Sequence, residues 1–507
     1  MTTARDVLVG LDLGTSSLKG VALAADGEIL ARGRAAYPTT RDAPGQAEQD
    51  PAQWLRAMEE VTRQLSASAP PSRWRALGLA GMIPTLVAVD GDDEPVMPAV
   101  TWEDARAEPE GRAFREAAGG ALGDGDGGLY RRTGQWVDGR YLLPMWMRSR
   151  RAESSRAADV ARLLSAKDYL FLWLTGVAAT DPSTATGFGG YDLEGGAWLP
   201  EAVAAAGLED ARQTLPAILP CTSARPLTPT AARTLGLPAD LPVCLGASDS
   251  VLGGLALGAT TPGDVAYVTG SSTVIMGVAS ESRRDPSRRY LVTPLAGERH
   301  CGLEMDLLST GSAVRWLAGL LGLGAAGEAE VLELAARVEP GASGVHLLPF
   351  LSGGEQGALW DPALRGTAFG LGLDSGPAEL AGALVDAIVL ESRRCLDVLA
   401  AAGVRPAAIR AAGAGVSSAF FRQQLADATG RDVLYASEAQ PLSALGAAVL
   451  AARSVGVDVA HEAWTAHAER TTFAASAAAG WDERWARHEA LVTRLQALYA
   501  EVSADRG

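Results

Sequence analysis

Asp12 ends an apolar run, Val7-Leu8-Val9-Gly10-Leu11, and after Leu13 the chain reads Gly14-Thr15-Ser16-Ser17. A carboxylate at the end of a buried strand is costly unless it meets a cation or accepts hydrogen bonds. A glycine followed by small hydroxyl residues presents backbone N–H groups and O–H donors in a tight curve, which suits phosphate oxygens. A β-hairpin with a polar turn explains the same residues structurally, because a second apolar run (18–23) leads to an Asp26-Gly27 turn. The pattern then recurs: residues 263–269 run into Gly270-Ser271-Ser272-Thr273, followed by Val274-Ile275-Met276. Two such hairpins roughly half a chain apart imply a duplicated architecture closing on one nucleotide from both sides. No G-x-x-x-x-G-K-[ST] occurs, and Lys19 and Lys167 are the only lysines, so neither loop is of the Walker A type.

A second candidate carboxylate, Asp249, lies in Gly246-Ala247-Ser248-Asp249-Ser250, just after the apolar stretch 242–245. In phosphoryl transfer, which mainly needs positioning and charge neutralisation, such a group can accept the attacking hydroxyl's proton. Asp is equally a preferred N-cap, here for a helix over 250–257. Both readings stay open on the residues alone. In Trp102-Glu103-Asp104-Ala105-Arg106, Trp102 reads as a core or binding aromatic and Asp104–Arg106 as a surface ion pair.

The elements that must position these groups follow from pattern and punctuation. At 507 residues the chain is too long for one core, so two domains of roughly 250 residues each are expected. Asp50-Pro51 caps a helix with apolar positions Trp54, Met58, Val61 and Leu65, and Pro70-Pro71 stops it. Residues 75–81 and 84–89 read as strands turned at Asp90-Gly91, and 98–102 as another. Residues 228–247 read as a polar helix, a turn and a strand leading to Asp249. A long core helix spans about 377–402, and an amphipathic helix 481–500.

Composition excludes several functions. A formal net charge of -16 argues against nucleic acid or an anionic membrane as the main partner. Any anionic substrate must therefore be held by local donors. Four scattered cysteines and five histidines show neither C-x-x-C nor H-E-x-x-H spacing, so no disulfide framework or structural metal is expected. The N-terminus enters a strand without a leader pattern and no run of about 18 apolar residues appears, so a cytoplasmic protein is expected.

The two-hairpin arrangement resembles the actin/hexokinase/Hsp70-type ATPase fold. The order of motifs is similar to that of the FGGY carbohydrate kinases: GLDLGTSSLKG, GLAGMIPTLVAVD and AVTWEDARA, then KDYLFLWLTG with ATDPSTATGFGGYDLEGGAW. GASDSVLGGLALG (246–258), GSST (270–273), STGSAVRW (309–316), LPFLSGGEQGALWDPALRGTAFGL (348–371) and AAGAGVSSAFFRQQLADATGRDV (411–433) continue it. The resemblance spans about 6–453 and implies ATP as phosphoryl donor, a small-molecule sugar as acceptor, and Mg2+. It implies Asp12 as organiser of the metal, the alternative being a hydrogen-bonded turn carboxylate, and it favours Asp249 as the catalytic base. Thr15, Ser16 and Ser17, with Gly270 and Ser271, would hold ATP phosphates. Gly311 and Arg315 would approach the nucleotide from a helix start, and Ala414, Gly415 and Ser418 would line its adenosine side, Ser418 also serving as an N-cap.

The sugar side, implied as Ile83, Pro84, Trp102, Asp249 and Ser250, departs from the pattern. Where the xylulokinase branch shows G-Q-M-H-G, this chain has Gly81-Met82-Ile83-Pro84-Thr85, with no polar side chain at the contacting pair. The lysine of the family's Pro-Lys segment before Trp146 is also missing, its place taken within Leu143-Pro144-Met145.

The expectation is an α/β protein of duplicated actin-like (ribonuclease H-like) domains around a central cleft, divided into 1–247 (sugar side) and 248–507 (nucleotide side). Its function is a sugar kinase, nearest the xylulokinase branch, with gluconokinase or another polyol or ketose kinase as the alternative. An actin- or Hsp70-like ATPase module also needs two phosphate hairpins but has no use for W-x-D-x-R plus Asp249. A relative that binds sugar without turnover is a third option. No nucleic-acid or membrane partner is expected, and the oligomeric state is left open, a homodimer included.

Overall fold

Val7–Leu13 and Ser17–Ala24 form the expected hairpin, with Asp12 directly opposite Lys19. The structure, a computed structural model, describes residues 6–123, 125–208, 214–297, 300–324, 327–339, 341, 344–352, 357–361, 363–436, 441–460 and 468–504. Residues 353–356 and Pro362 of the 348–371 motif therefore lie outside the described residues.

The chain divides into two units. The first comprises Met1–Gly258, Val292–Cys301 and Gln440–Trp464; the second comprises Ala259–Leu291, Gly302–Ala439 and Thr465–Gly507. The main sheet of the first runs in the order Ala224–Pro226, Pro242–Ser248, Trp74–Gly81, Val7–Leu13, Ser17–Ala24, Ile29–Ala36. Its three central strands, Pro242–Ser248, Trp74–Gly81 and Val7–Leu13, are parallel, and the flanking ones antiparallel.

Helix Pro51–Ser68 covers the hairpin side of this sheet. Asp50 caps it by accepting from the Ala52 N–H, and Trp54, Met58, Val61 and Leu65 are fully buried. Burying each stabilises by about 1.5–3 kcal/mol. Helix Leu442–Ser454 also packs on this unit's strands. It comes so close that a Cβ on Gly10 would lie 1.8 Å from the Ala444 carbonyl oxygen, and one on Gly78 2.2 Å from that of Ala447. Only glycine fits such contacts.

In the second unit the strand order is Cys301–Leu307, Thr273–Ala279, Val265–Thr269, Ala408–Gly413, Asp432–Tyr435, Glu469–Thr471. Val265–Thr269 is antiparallel to its hairpin partner and parallel to Ala408–Gly413, which is parallel to Asp432–Tyr435. The first unit's pattern of hairpin plus parallel neighbours is thus repeated, as expected for a duplicated α/β architecture. Helix Pro377–Ala401 supplies this unit's core, and Tyr267 reaches its Ser392 with a 2.8 Å hydrogen bond. Helix Ala478–Ala504 closes the chain's helical content. Among the described residues no helix is long and apolar enough to cross a membrane.

Candidate active site

Three parallel strands of the first unit end level with one another. Leu13 pairs with Gly81, and Gly81 with Ser248. Directly beyond these positions come Gly14 to Ser17, Met82 to Pro84, and Asp249. The sequence therefore delivers the phosphate-type turn, the sugar-side pair and the Asp249 carboxylate to one carboxyl-terminal sheet edge, where open α/β sheets bind ligands. The outer two of these strands are two strand spacings apart, about 10 Å.

Asp12 is 5% exposed, and its Oδ1 is buried with no hydrogen-bond partner. Burial pushes its carboxyl above the usual carboxylate range, and Lys19 opposes this more weakly. A hydrogen-bonded turn carboxylate, the alternative reading, does not describe this oxygen. An unpartnered buried carboxylate oxygen beside a hydroxyl-rich turn fits a divalent cation, which would restore the charged form.

The turn is anchored rather than free. Gln49 donates from Nε2 to the Thr15 carbonyl at 2.7 Å, and Trp54 donates to Gln49 Oε1 at 2.9 Å. Tyr37 donates its hydroxyl to the Gly14 carbonyl. Of the three hydroxyl residues, Ser16 is exposed and Thr15 half-buried, whereas Ser17 is buried and accepts from Arg34 Nε at 3.2 Å. Nothing in the sequence pattern marked Gln49 or Tyr37 as supports of this turn.

Trp102 is half-buried and donates its indole N–H to Thr15 Oγ1 at 3.1 Å, which joins the aromatic to the hairpin turn. The strand before it is shorter than expected, Ala99–Thr101. Asp104 and Arg106 are not a surface pair. Asp104 is 1% exposed, accepts the Ala47 N–H at 2.9 Å and bonds Arg106, which also reaches Glu48. Alternating charges suggested solvent, but the pair pins a neighbouring loop. Ile83 and Pro84 are half-buried, joined by a cis peptide, and packed beside Gly187 of the 177–196 segment.

Asp249 is the first residue of helix Asp249–Ala256, whose N-cap is Ser248, so the capping alternative for Asp249 is corrected. Its carboxylate is half-buried, and Oδ1 accepts from the Ser250 N–H at 2.9 Å. Gly246 prepares this exit: its φ of +80° and a Cβ that would sit 1.6 Å from the Leu79 carbonyl oxygen both require glycine. The pairing register shifts between Cys244 and Ala247, a bulge that re-aims the chain toward Ser248 and Asp249.

In the second unit the expected nucleotide residues also converge. The Gly270–Ser271 turn follows Val265–Thr269, and Gly311 begins helix Gly311–Leu320 against it; a Cβ on Gly311 would lie 2.2 Å from the Gly270 carbonyl oxygen. Arg315 donates to Ser271 Oγ at 2.7 Å and pairs with Glu328 at 3.1 Å. Ala414, Gly415 and Ser418 follow the parallel strand Ala408–Gly413. Thr269 Oγ1 accepts from the Gly415 N–H at 3.0 Å and so ties the two turns together, a role missed although Thr269 adjoins the Gly270 motif. Ser418 caps helix Ala419–Thr429 by accepting from the Phe421 N–H, as expected.

Comparison with known proteins agrees with this architecture. Residues 7–256 match the N-terminal domain, and residues 265–455 the C-terminal domain, of the FGGY family of carbohydrate kinases. A xylulose kinase of Klebsiella pneumoniae is 30% identical over 446 residues, covering 87% of this chain and 89% of that protein. A gluconokinase of Bacillus subtilis is 26% identical over 465 residues, covering 89% of this chain and 88% of that protein. The crystal structure of xylulose kinase from Rhodospirillum rubrum superposes with a TM-score of 0.87 at 29% identity, over 97% of this chain and 100% of that one. The chain, an α/β protein of two family domains and a sugar phosphotransferase, belongs to the FGGY family of carbohydrate kinases.

Proposed function

We propose that this chain transfers the γ-phosphoryl group of ATP to a hydroxyl of D-xylulose, with Mg2+ as the required cation and Asp249 as the general base. The observation that carries the reading is the shared sheet edge, with Asp12, the Met82–Pro84 segment and Asp249 at the ends of three adjacent parallel strands. Asp12, with its unpartnered buried Oδ1, would hold the cation, which supplies charge neutralisation to the phosphates. Thr15, Ser16 and Ser17 offer donors to phosphate oxygens on the first unit. Gly270, Ser271, Gly311, Arg315, Ala414, Gly415 and Ser418 are the nucleotide ligands assigned to the second.

Trp102 presents a ring on which a sugar's C–H face can pack, and Ile83 and Pro84 shape the site without side-chain donors. The sugar hydroxyl gives its proton to the Asp249 carboxylate as its oxygen bonds to the γ-phosphorus. The bond to the β-γ bridging oxygen breaks, and ADP leaves. Ser250, which donates its N–H to Asp249, orients the carboxylate on the acceptor side.

Gluconate is the second reading, supported by the gluconokinase relative and by Ile83-Pro84 standing where the xylulokinase branch has Met-His. Coupled ADP release over D-xylulose, other pentuloses, gluconate and polyols, with and without Mg2+, decides between them. D-Xylulose should give the highest kcat/KM. A higher value for gluconate would replace the ketose assignment, and ADP release independent of any sugar would remove the kinase reading.

A further inference from the structure

Asp249 is held through the backbone on both of its sides. The N–H of Ser248, immediately before it, donates to Ser183 Oγ at 3.0 Å. The carbonyl of Asp249 itself accepts from Ser443 Oγ at 2.9 Å. The two donors and acceptors bracket a two-residue segment, so its dihedral angles are restrained at both ends. That segment follows the Gly246 bulge: Ser248 is the last residue paired in the ladder, with Gly81, and Asp249 leaves the strand as the first residue of its helix.

The Ser183 tether is itself organised from deeper in the unit. Ser183 donates its hydroxyl to Asp181 Oδ2 at 2.5 Å, which leaves its oxygen lone pairs for the Ser248 N–H. Asp181 Oδ1 lies 3.0 Å from Lys167 Nζ, and Lys167 also bonds Asp168 at 2.7 Å. Lys167, Asp168, Asp181, Ser183 and Ser248 are at most 2% exposed. A charge-assisted bond in such surroundings is stronger and more directional than one in water. Lys167 is fully buried and its ammonium is engaged by Asp168 and Asp181, and the chain's only other lysine is on the hairpin.

We propose that Ser183 and Ser443 are positioning residues that clamp the backbone around Asp249, with the buried Lys167–Asp181 pair locking the orientation of the Ser183 hydroxyl. This rests on Asp249 being the general base. Misplacing a reacting group by about 1 Å can cost 10²-fold in rate, and loss of one of two tethers is expected to cost five- to tenfold in kcat. Ser443→Ala is the cleaner variant: Ser443 is half-buried in the first turn of its helix, where alanine is well tolerated. Ser183→Ala orphans a buried N–H and lowers stability as well.

The experiment measures kcat, sugar KM and melting temperature for Ser443→Ala and Ser183→Ala, alone and combined with Asp249→Asn at high enzyme concentration. The clamp predicts a five- to tenfold lower kcat for each single variant, sugar KM within twofold, and no further loss once Asp249 is Asn. A purely structural role would lower melting temperature and leave kcat of the folded protein intact. Parental kcat in Ser443→Ala, or the same fold loss persisting in the Asp249→Asn background, overturns the clamp while leaving Asp249 as base. Parental kcat in Asp249→Asn alone removes the base, and the clamp with it.

Discussion

Replacing Lys167 by Met removes the only cation from a sealed group of charges. Lys167 and Asp168 are 0% exposed and Asp181 is 1% exposed, with the ammonium 2.7 Å and 3.0 Å from the two carboxylates. Methionine keeps most of the volume and leaves both carboxyls buried without their counter-ion. Breaking a buried pair from one side costs about 3–5 kcal/mol. For a unit of this size that is roughly a 6–20 °C lower melting temperature. The loss has a pH signature. Burial already raises the Asp168 carboxyl, and Lys167 is the main group pulling it back down, so the substitution raises it further. A carboxyl with a raised folded value contributes its full stability below the usual carboxylate range and loses it as pH climbs through the raised value. The deficit of Lys167→Met is therefore smallest near pH 4 and grows toward neutrality, by up to about 1.4 kcal/mol per pH unit from Asp168 in that window. Urea unfolding of parent and variant at pH 4.5 and pH 7 measures this. A variant within 1 kcal/mol of the parent at both pH values would refute the ion-pair reasoning.

Asp12→Ala should abolish most turnover while leaving melting temperature equal or higher, because an ionised Asp12 is desolvated: its raised carboxyl loses stability as pH rises through the raised value. Mg2+ should raise the melting temperature of the parent and not of Asp12→Ala; equal shifts would take the metal away from this residue. Ile83→Met with Pro84→His should reorder the preference among ketoses, gluconate and polyols without eliminating activity, and an unchanged ranking in the coupled assay would put the pair outside the acceptor site.

Much of the fold was readable where local chemistry and long-range packing agree. The two hairpins were legible because apolar runs stop at a glycine and small hydroxyls, and Pro51–Ser68 because its cap, proline and apolar spacing coincide. The helix Leu442–Ser454 carries no mark of its partners: its contacts with Gly10 and Gly78 are made by residues hundreds of positions earlier. Asp104 and Arg106 look like solvent-facing charges, yet the folded chain brings Ala47 and Glu48 over them. Asp249 could equally have been a cap by residue type, and only backbone geometry assigns that place to Ser248. The supports of the site, Gln49, Thr269 and Ser183, are small or uncharged groups whose roles depend on distant partners. Lys167 stood inside a family-like motif without its spacing revealing Asp181 as its counter-ion.

The most direct test of the proposed chemistry is single-turnover phosphorylation of the preferred sugar by parent and Asp249→Asn protein at saturating Mg-ATP. Asn keeps the size of the side chain and an oxygen able to accept from the Ser250 N–H, but it cannot take the hydroxyl proton. Loss of a general base predicts a rate about 10²- to 10⁴-fold below the parent, with melting temperature and nucleotide binding unchanged. Transfer at the parental rate by the Asp249→Asn protein would contradict Asp249 as the group that receives the proton.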